Sequence, residues 1–363
     1  MVAVTGTGTG TGTVTGTHGV QDLRMFVPDA GRLSTGRGLH SPMLNIVEVT
    51  SPFFALVLCG YGVTRLRWLP LESILGLNVF VLFFALPCML FRFGAATPIT
   101  QLLNPSIFVT YLLCALVMVG FAVLATRRGP IGWNDASFGA LVAAFPNTGF
   151  IGVPLLVRLL GERAAAPAIV ALTVDMVLTS SLCIALSRLS TGQAKGAGRA
   201  VMTALKGMAT NPLPWSILLG GLVSASGLAL PVMVARPVGM LADAASPVAL
   251  FTLGAMLARS RLQSVWVTAA PGRGDGVWQT VVFKLLLHPA LVLGAGRLAM
   301  AAGAPLDHFA VTVLALVAAL PSASNVPMLA ERFGADAGRI ARIVLVSTAA
   351  SFVSFSAAVA WLI

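Results

Sequence analysis

A chain of 363 residues that is 57% hydrophobic and 10% charged, with mean hydropathy +0.91, carries more apolar surface than a soluble core of that size can bury. That composition excludes an ordinary water-soluble protein and implies one that crosses a membrane several times. The net charge of +11 does not imply nucleic acid as a partner, because the 23 Lys and Arg fall singly or in pairs between apolar runs, where they orient spans.

The first residues differ from everything after them. The stretch "TGTGTGTGTVTGT" is low complexity and has no apolar centre, so it is not a secretory signal; residues 1–42 read as a disordered tail or a mis-assigned start, with Met43 as an alternative beginning. Apolar runs then predict ten spans at roughly 45–64, 70–91, 105–125, 138–160, 165–187, 212–229, 238–258, 279–301, 308–331 and 340–362. With the start of the first span outside, fourteen Lys and Arg lie on cytoplasmic connections against five on the opposite side. The positive-inside rule therefore puts both termini outside. It also puts the longest connection, 188–210, in the cytoplasm, where it is a linker too short to be a domain.

The fourth and ninth spans resemble each other. "PLLVRLLGERA" begins at Pro154 and "PMLAERFGADA" at Pro327, 173 positions on, while Pro146 and Pro321 lie 175 apart. The chain so divides into five-span halves, 43–187 and 211–363. Because five is odd, the second half is inverted relative to the first.

Both matching spans contain helix breakers. "FPNTGFIGVP" carries Pro146 and Pro154 around Gly149 and Gly152; "LPSASNVP" carries Pro321 and Pro327 around Ser322, Ser324 and Asn325. Non-helical backbone within a membrane persists only where protein buries it or a cavity is lined by it. Two discontinuous helices that cross would turn free N–H groups and their dipoles toward an anion, with Asn147, Thr148, Gly149, Ser322, Ser324 and Asn325 as candidate binding residues. The bland alternative is a pair of ordinary proline kinks re-satisfied by Ser and Asn.

Asp175 and Lys284 are charged residues inside apolar spans, which is costly enough to mark a coupling pair or a static interhelical salt bridge; Lys284 is also near enough to an edge to snorkel. Glu48 and Asp243 lie near span ends and read as interfacial. His288, before Pro289, reads as a packed histidine or a proton relay. Cys59, Cys88, Cys114 and Cys183 read as small buried residues, neither a disulfide framework nor a metal site, and no cofactor is expected.

At these residues the chain resembles the auxin efflux carrier family. "AFPNTGFIGVPLL", "NPLPWSILLGGL", "ASPVALFTLGAMLA", "KLLLHPALV" and "ALPSASNVPMLAERFGADAGRIARIVLVST" carry the likeness in order, from about Met43 to Ile363. The resemblance implies an all-α polytopic membrane protein of ten transmembrane helices in two inverted five-helix repeats. Spans 1, 2, 6 and 7 would form a scaffold and the others a transport domain moving as an elevator. Helices 4 and 9 would cross at Pro146 and Pro321, with Asn147 and Asn325 as ligand-facing amides. The short central connection resembles bacterial members, whose assigned substrates are malonate, malate and other small carboxylates, and so places the chain in a bacterial inner membrane. A fold likeness to sodium/proton antiporters, which pair an aspartate and a lysine at the places of Asp175 and Lys284, implies a proton or sodium ion as coupling partner. The expected partners are thus a small organic anion, a coupling ion and membrane lipid, with a homodimer left open. A channel and a membrane-embedded enzyme are the rival readings, the latter lacking a GxSxG or a second central aspartate.

Overall fold

The computed structural model describes residues 42–102, 104–127, 131–188, 212–227, 230–262 and 276–363. The expected tail over 1–42 and the linker 188–210 fall outside these residues except at their edges, as do Arg128, Arg273 and the side chain of Glu48.

Helices cover every predicted span. They are α1 (Pro42–Arg65), α2 (Ser73–Ala96), α3 (Pro105–Thr126), α4 (Trp133–Ala144), α5 (Thr148–Leu160), α6 (Glu162–Arg188), α7 (Pro212–Ser226), α8 (Val232–Leu262), α9 (Val277–Ala301), α10 (His308–Ala319), α11 (Val326–Arg332) and α12 (Ala337–Leu362). Six of them, α2, α3, α6, α8, α9 and α12, are long and apolar enough to cross a membrane, which makes this an integral membrane protein. The fourth predicted span is α4 and α5 separated by a break, and the ninth is α10 and α11 separated by another.

Starts are set by local chemistry. The Asn104 Oδ1 accepts from the N–H groups of Ser106 and Ile107, with Pro105 fixing φ at the first helical position of α3. Asp307 and Asp336 cap α10 and α12 in the same way, through Ala310 and Arg339. Arg339 and Arg342, two of the fourteen Lys and Arg that the charge count puts on cytoplasmic connections, sit buried in the first turns of α12. The Arg339 guanidinium donates to the Asp135 carbonyl at 2.9 Å, and Asp135 accepts the Asp336 N–H at 2.7 Å, so these charges fasten α12 to the start of α4.

Two helix pairs meet through bare backbone. A Cβ on Gly60 would stand 1.9 Å from the Phe251 carbonyl oxygen, and one on Gly254 would stand 1.9 Å from that of Val57, so α1 and α8 touch main chain to main chain. α2 and α7 meet likewise, Gly220 against Phe91 and Gly94 against Ile217. Gly220 and Gly254 follow Gly60 and Gly94 by 160 positions each, so one kind of contact occurs twice in corresponding places.

Facing outward, α3 exposes Val109, Leu113, Leu116, Val117, Phe121 and Leu124 while burying Tyr111, Cys114, Met118 and Ala122, the reverse of what water would demand and suited to lipid. The same logic corrects one cysteine: Cys114 and Cys183 are buried, but Cys59 is exposed on α1. A small apolar side chain needs no burial where hydrocarbon is the solvent. Asp243 is exposed, as expected near a span end, and its carboxylate takes Arg92 at 2.6 Å, joining α8 to α2.

Candidate functional site

The innermost part of the molecule is where the helices break. Residues 136–153 and 313–324 are buried without interruption, so the non-helical backbone between α4 and α5 and between α10 and α11 is enclosed by protein. The two breaks pair with each other as an isolated antiparallel bridge between Pro146 and Ser322. The Asn147 N–H donates to the Pro321 carbonyl at 2.8 Å, and the Ala323 N–H donates to that of Phe145 at 3.0 Å.

Each break strands a helical carbonyl and then supplies a substitute donor. Val142 would be served by residue 146, but Pro146 has no N–H; the Ser322 hydroxyl donates to it instead at 2.7 Å. Ala318 would be served by the N–H of Ser322, which turns away to the Ser347 hydroxyl at 3.2 Å. The Lys284 ammonium takes that place, donating to the Ala318 carbonyl at 2.8 Å. A cation at the carbonyl end of α10 is also where the helix dipole favours it.

The first break is shorter than its prolines suggested. Unwinding is confined to the residues between Ala144 and Thr148, and Gly149 and Gly152 lie in a π-helical turn, Thr148–Gly152, that opens α5. Pro327 sits in the first turn of α11, where the missing N–H costs nothing, and Pro154 follows directly on the π-helical turn within α5, where the chain stays helical. Gly152 lies close to the crossing, where a Cβ would stand 2.5 Å from Leu320 Cδ1 and oblige that side chain to shift.

Pro146, Asn147, Gly149 and Asn325 come together around a cavity of about 20 Å³, closed further by Phe145, Phe150 and Met176. That is room for one water and no more. Asn147 is 3% exposed and Thr148 fully buried, yet the Asn147 Nδ2 and Thr148 Oγ1 have no hydrogen-bond partner among the described residues. Ser322 holds the crossing together, and Ser324 faces away, into a second cavity of about 210 Å³ between α2, α8, α11 and α12 that Pro327 also lines.

Asp175 and Lys284 are both fully buried, and both lie in π-helical turns, Asp175–Thr179 and Phe283–Leu287. Lys284 does not snorkel, and the two form no ion pair within 4.0 Å. The Asp175 carboxylate accepts from the Tyr111 hydroxyl at 2.8 Å and from Thr179 at 3.1 Å. Lys284 Nζ lies 3.1 Å from His288 Nδ1, and the ring of Tyr111, the partner of Asp175, stands 6.2 Å from that of His288. His288 is packed, and its Nε2 has no partner among the described residues. Tyr111 and Thr179 were not singled out in the sequence. A signal for Tyr111 was present, because it precedes Lys284 by the same 173 positions that relate the two proline motifs.

A family model described as "Membrane transport protein" matches residues 45–359. A protein of Rhizobium meliloti (strain 1021) named "Putative malonate transporter" is 28% identical over 312 residues, 84% of this chain and 92% of that protein. "Uncharacterized transporter YfdV" of Escherichia coli (strain K12) is 26% identical over 290 residues, 78% of this chain and 86% of its own. "Auxin efflux carrier component 3" of Arabidopsis thaliana is 26% identical over 130 residues, 34% of this chain and 20% of that protein.

Proposed function

The chain belongs to the membrane transport protein family that includes the auxin efflux carriers, and on that premise we propose that it is a secondary transporter of a small organic anion, a mono- or dicarboxylate such as malonate or malate. The observation that carries this reading is the pair of crossed breaks with the Asn147 amide and Thr148 hydroxyl buried beside them and unpartnered. A carboxylate there would accept from the Asn147 amide and the Thr148 hydroxyl, and would sit against the amino end of α5. Gly149, Ser322, Ser324 and Asn325 would complete or hold that site.

In this reading ten spans form two inverted repeats, 43–187 and 211–363, joined by a cytoplasmic linker over 188–210. The doubled proline motifs, 173 and 175 positions apart, and the doubled glycine contacts, 160 apart, support it. The glycine-joined α1, α2, α7 and α8 act as the scaffold, and the remaining helices carry the site across the membrane of a bacterial cell as an elevator, with both termini outside. A cavity with room for one water at the crossing is the closed form of such a site, and the helices beside it separate when substrate enters.

Coupling is assigned to Asp175 and Lys284. A proton or sodium ion at the Asp175, Tyr111 and Thr179 oxygens would change the charge next to the cation that holds α10, and so bias one state of the moving part.

Uptake of labelled malonate, malate and monocarboxylates into proteoliposomes, with and without a proton or sodium gradient, tests the reading. Saturable uptake with counterflow is the expected result. Flux that neither saturates nor exchanges would make the protein a channel, and no flux of any carboxylate by folded protein would end the anion assignment.

A further inference from the structure

Outside the crossing, one polar side chain stands in the wrong kind of surroundings. Asn78 lies in the apolar run of α2, is 5% exposed, and its Nδ2 finds a single partner, the Met328 sulfur at 3.7 Å. A thioether is a weak acceptor, so an amide donor taken into a membrane-spanning helix remains mostly unsatisfied. Asn78 lines the 210 Å³ cavity, and Ser324 of the second break, 4% exposed, lines the same space. Arg259 and Glu331 line it as well, with the apolar side chains of Met256 and Met328.

We infer that this cavity is a second station for the substrate and that Asn78 determines specificity there, its amide donating to one carboxylate of the anion while Ser324 donates from the broken helix. The inference rests on the transport reading above and extends it to a residue on α2, a helix without a proline break of its own. A space of 210 Å³ holds a three- or four-carbon dicarboxylate, which the cavity of 20 Å³ at the crossing does not. Placement decides the chemistry. A carboxylate between Asn78 and Ser324 accepts from both side chains at once, so the station joins helix α2 to the segment that precedes α11, and substrate leaving the crossing meets a further polar contact. The thioether of Met328, flexible and apolar, yields the amide to a better acceptor without leaving it bare when the substrate has gone.

The full-length protein in proteoliposomes tests this in two ways. Asn78→Leu, close in volume and unable to donate, is expected to raise the half-saturating malonate concentration about tenfold with maximal counterflow within about twofold, the loss of one hydrogen bond to a charged group. Asn78→Asp, which sets a carboxylate against a carboxylate, is expected to raise it further. Unchanged half-saturation in both variants overturns the inference. Separately, Asn78→Cys in a background lacking Cys59, Cys88, Cys114 and Cys183 is expected to react with a water-soluble thiol reagent, and to react more slowly when malonate or malate is present. Val79→Cys, its outward-facing neighbour, is the unreactive control. Absence of labelling at position 78, or labelling that no carboxylate slows, overturns the second station. A wild-type protein that moves no carboxylate overturns the transport reading instead, so the two failures are told apart.

Discussion

The two helix breaks look alike in sequence and differ in what holds them. At the first, the stranded Val142 carbonyl is met by a neutral hydroxyl from Ser322; at the second, the stranded Ala318 carbonyl is met by the ammonium of Lys284. The corresponding residue on the first side, 173 positions before Lys284, is Tyr111, and it serves Asp175 instead. Asp175 in turn corresponds by that spacing to Thr348, whose hydroxyl only folds back on the Val344 carbonyl. At each of these two pairs of positions 173 apart, the charge stands at one member only. The lesson is that likeness of sequence motif does not bring likeness of electrostatics, and a single buried cation makes one break sensitive to ionisation while the other is held by neutral bonds.

That contrast breaks most easily at Lys284. Lys284→Met removes the cation and leaves the Ala318 carbonyl and His288 without a partner, and we expect transport to fall about a hundredfold or more, on the scale of losing a charge-assisted bond at a buried site. Lys284→Arg should recover part of it. Equal losses in Lys284→Met and Tyr111→Phe would show that the two sides are alike after all. Next in size, Asp175→Asn should abolish accumulation driven by an ion gradient while homoexchange persists; exchange lost together with accumulation would make Asp175 a folding residue. Asn147→Ala should then weaken carboxylate binding about tenfold with little change in thermal stability, since its Nδ2 has no partner to lose. The smallest effect belongs to Ser322→Ala, which removes the neutral clamp on Val142 and should lower stability by about 1–2 kcal/mol, read as a few degrees in Tm. A Ser322→Ala loss as large as that of Lys284→Met would invert the ranking.

Much of this was legible in the sequence. Each span that hydropathy located is helical in the described residues, because a membrane makes length and apolarity the dominant constraint, and Pro146 and Pro321 marked both breaks. The extent of the first break was not legible: a proline inside an unwound stretch and one inside the helix that follows look the same in a string of letters, and Pro154 proved to be the second kind. Asp175 and Lys284 were conspicuous, but their partners were not. Tyr111 and the Ala318 carbonyl reach them from other helices, and no local pattern announces such a contact; Thr179, four residues after Asp175 on its own helix, is a neighbour that spacing alone could have offered. Arg339 and Arg342 misled for a related reason, since charge near a span end reads as loop whether or not the side chain turns inward to fasten a helix.

The glycines at positions 60, 94, 220 and 254 have a mechanical consequence. Helices in contact through bare backbone behave like toothed parts with the gap machined out: a slide of α1 along α8, or of α7 along α2, would bring a carbonyl against a Cβ almost at once. Those two pairs are locked in register, and any travel within the protein must take place on surfaces padded by large apolar side chains. A valine at position 60 or 254 is thus a wedge, expected to push apart helices that have no slack to give.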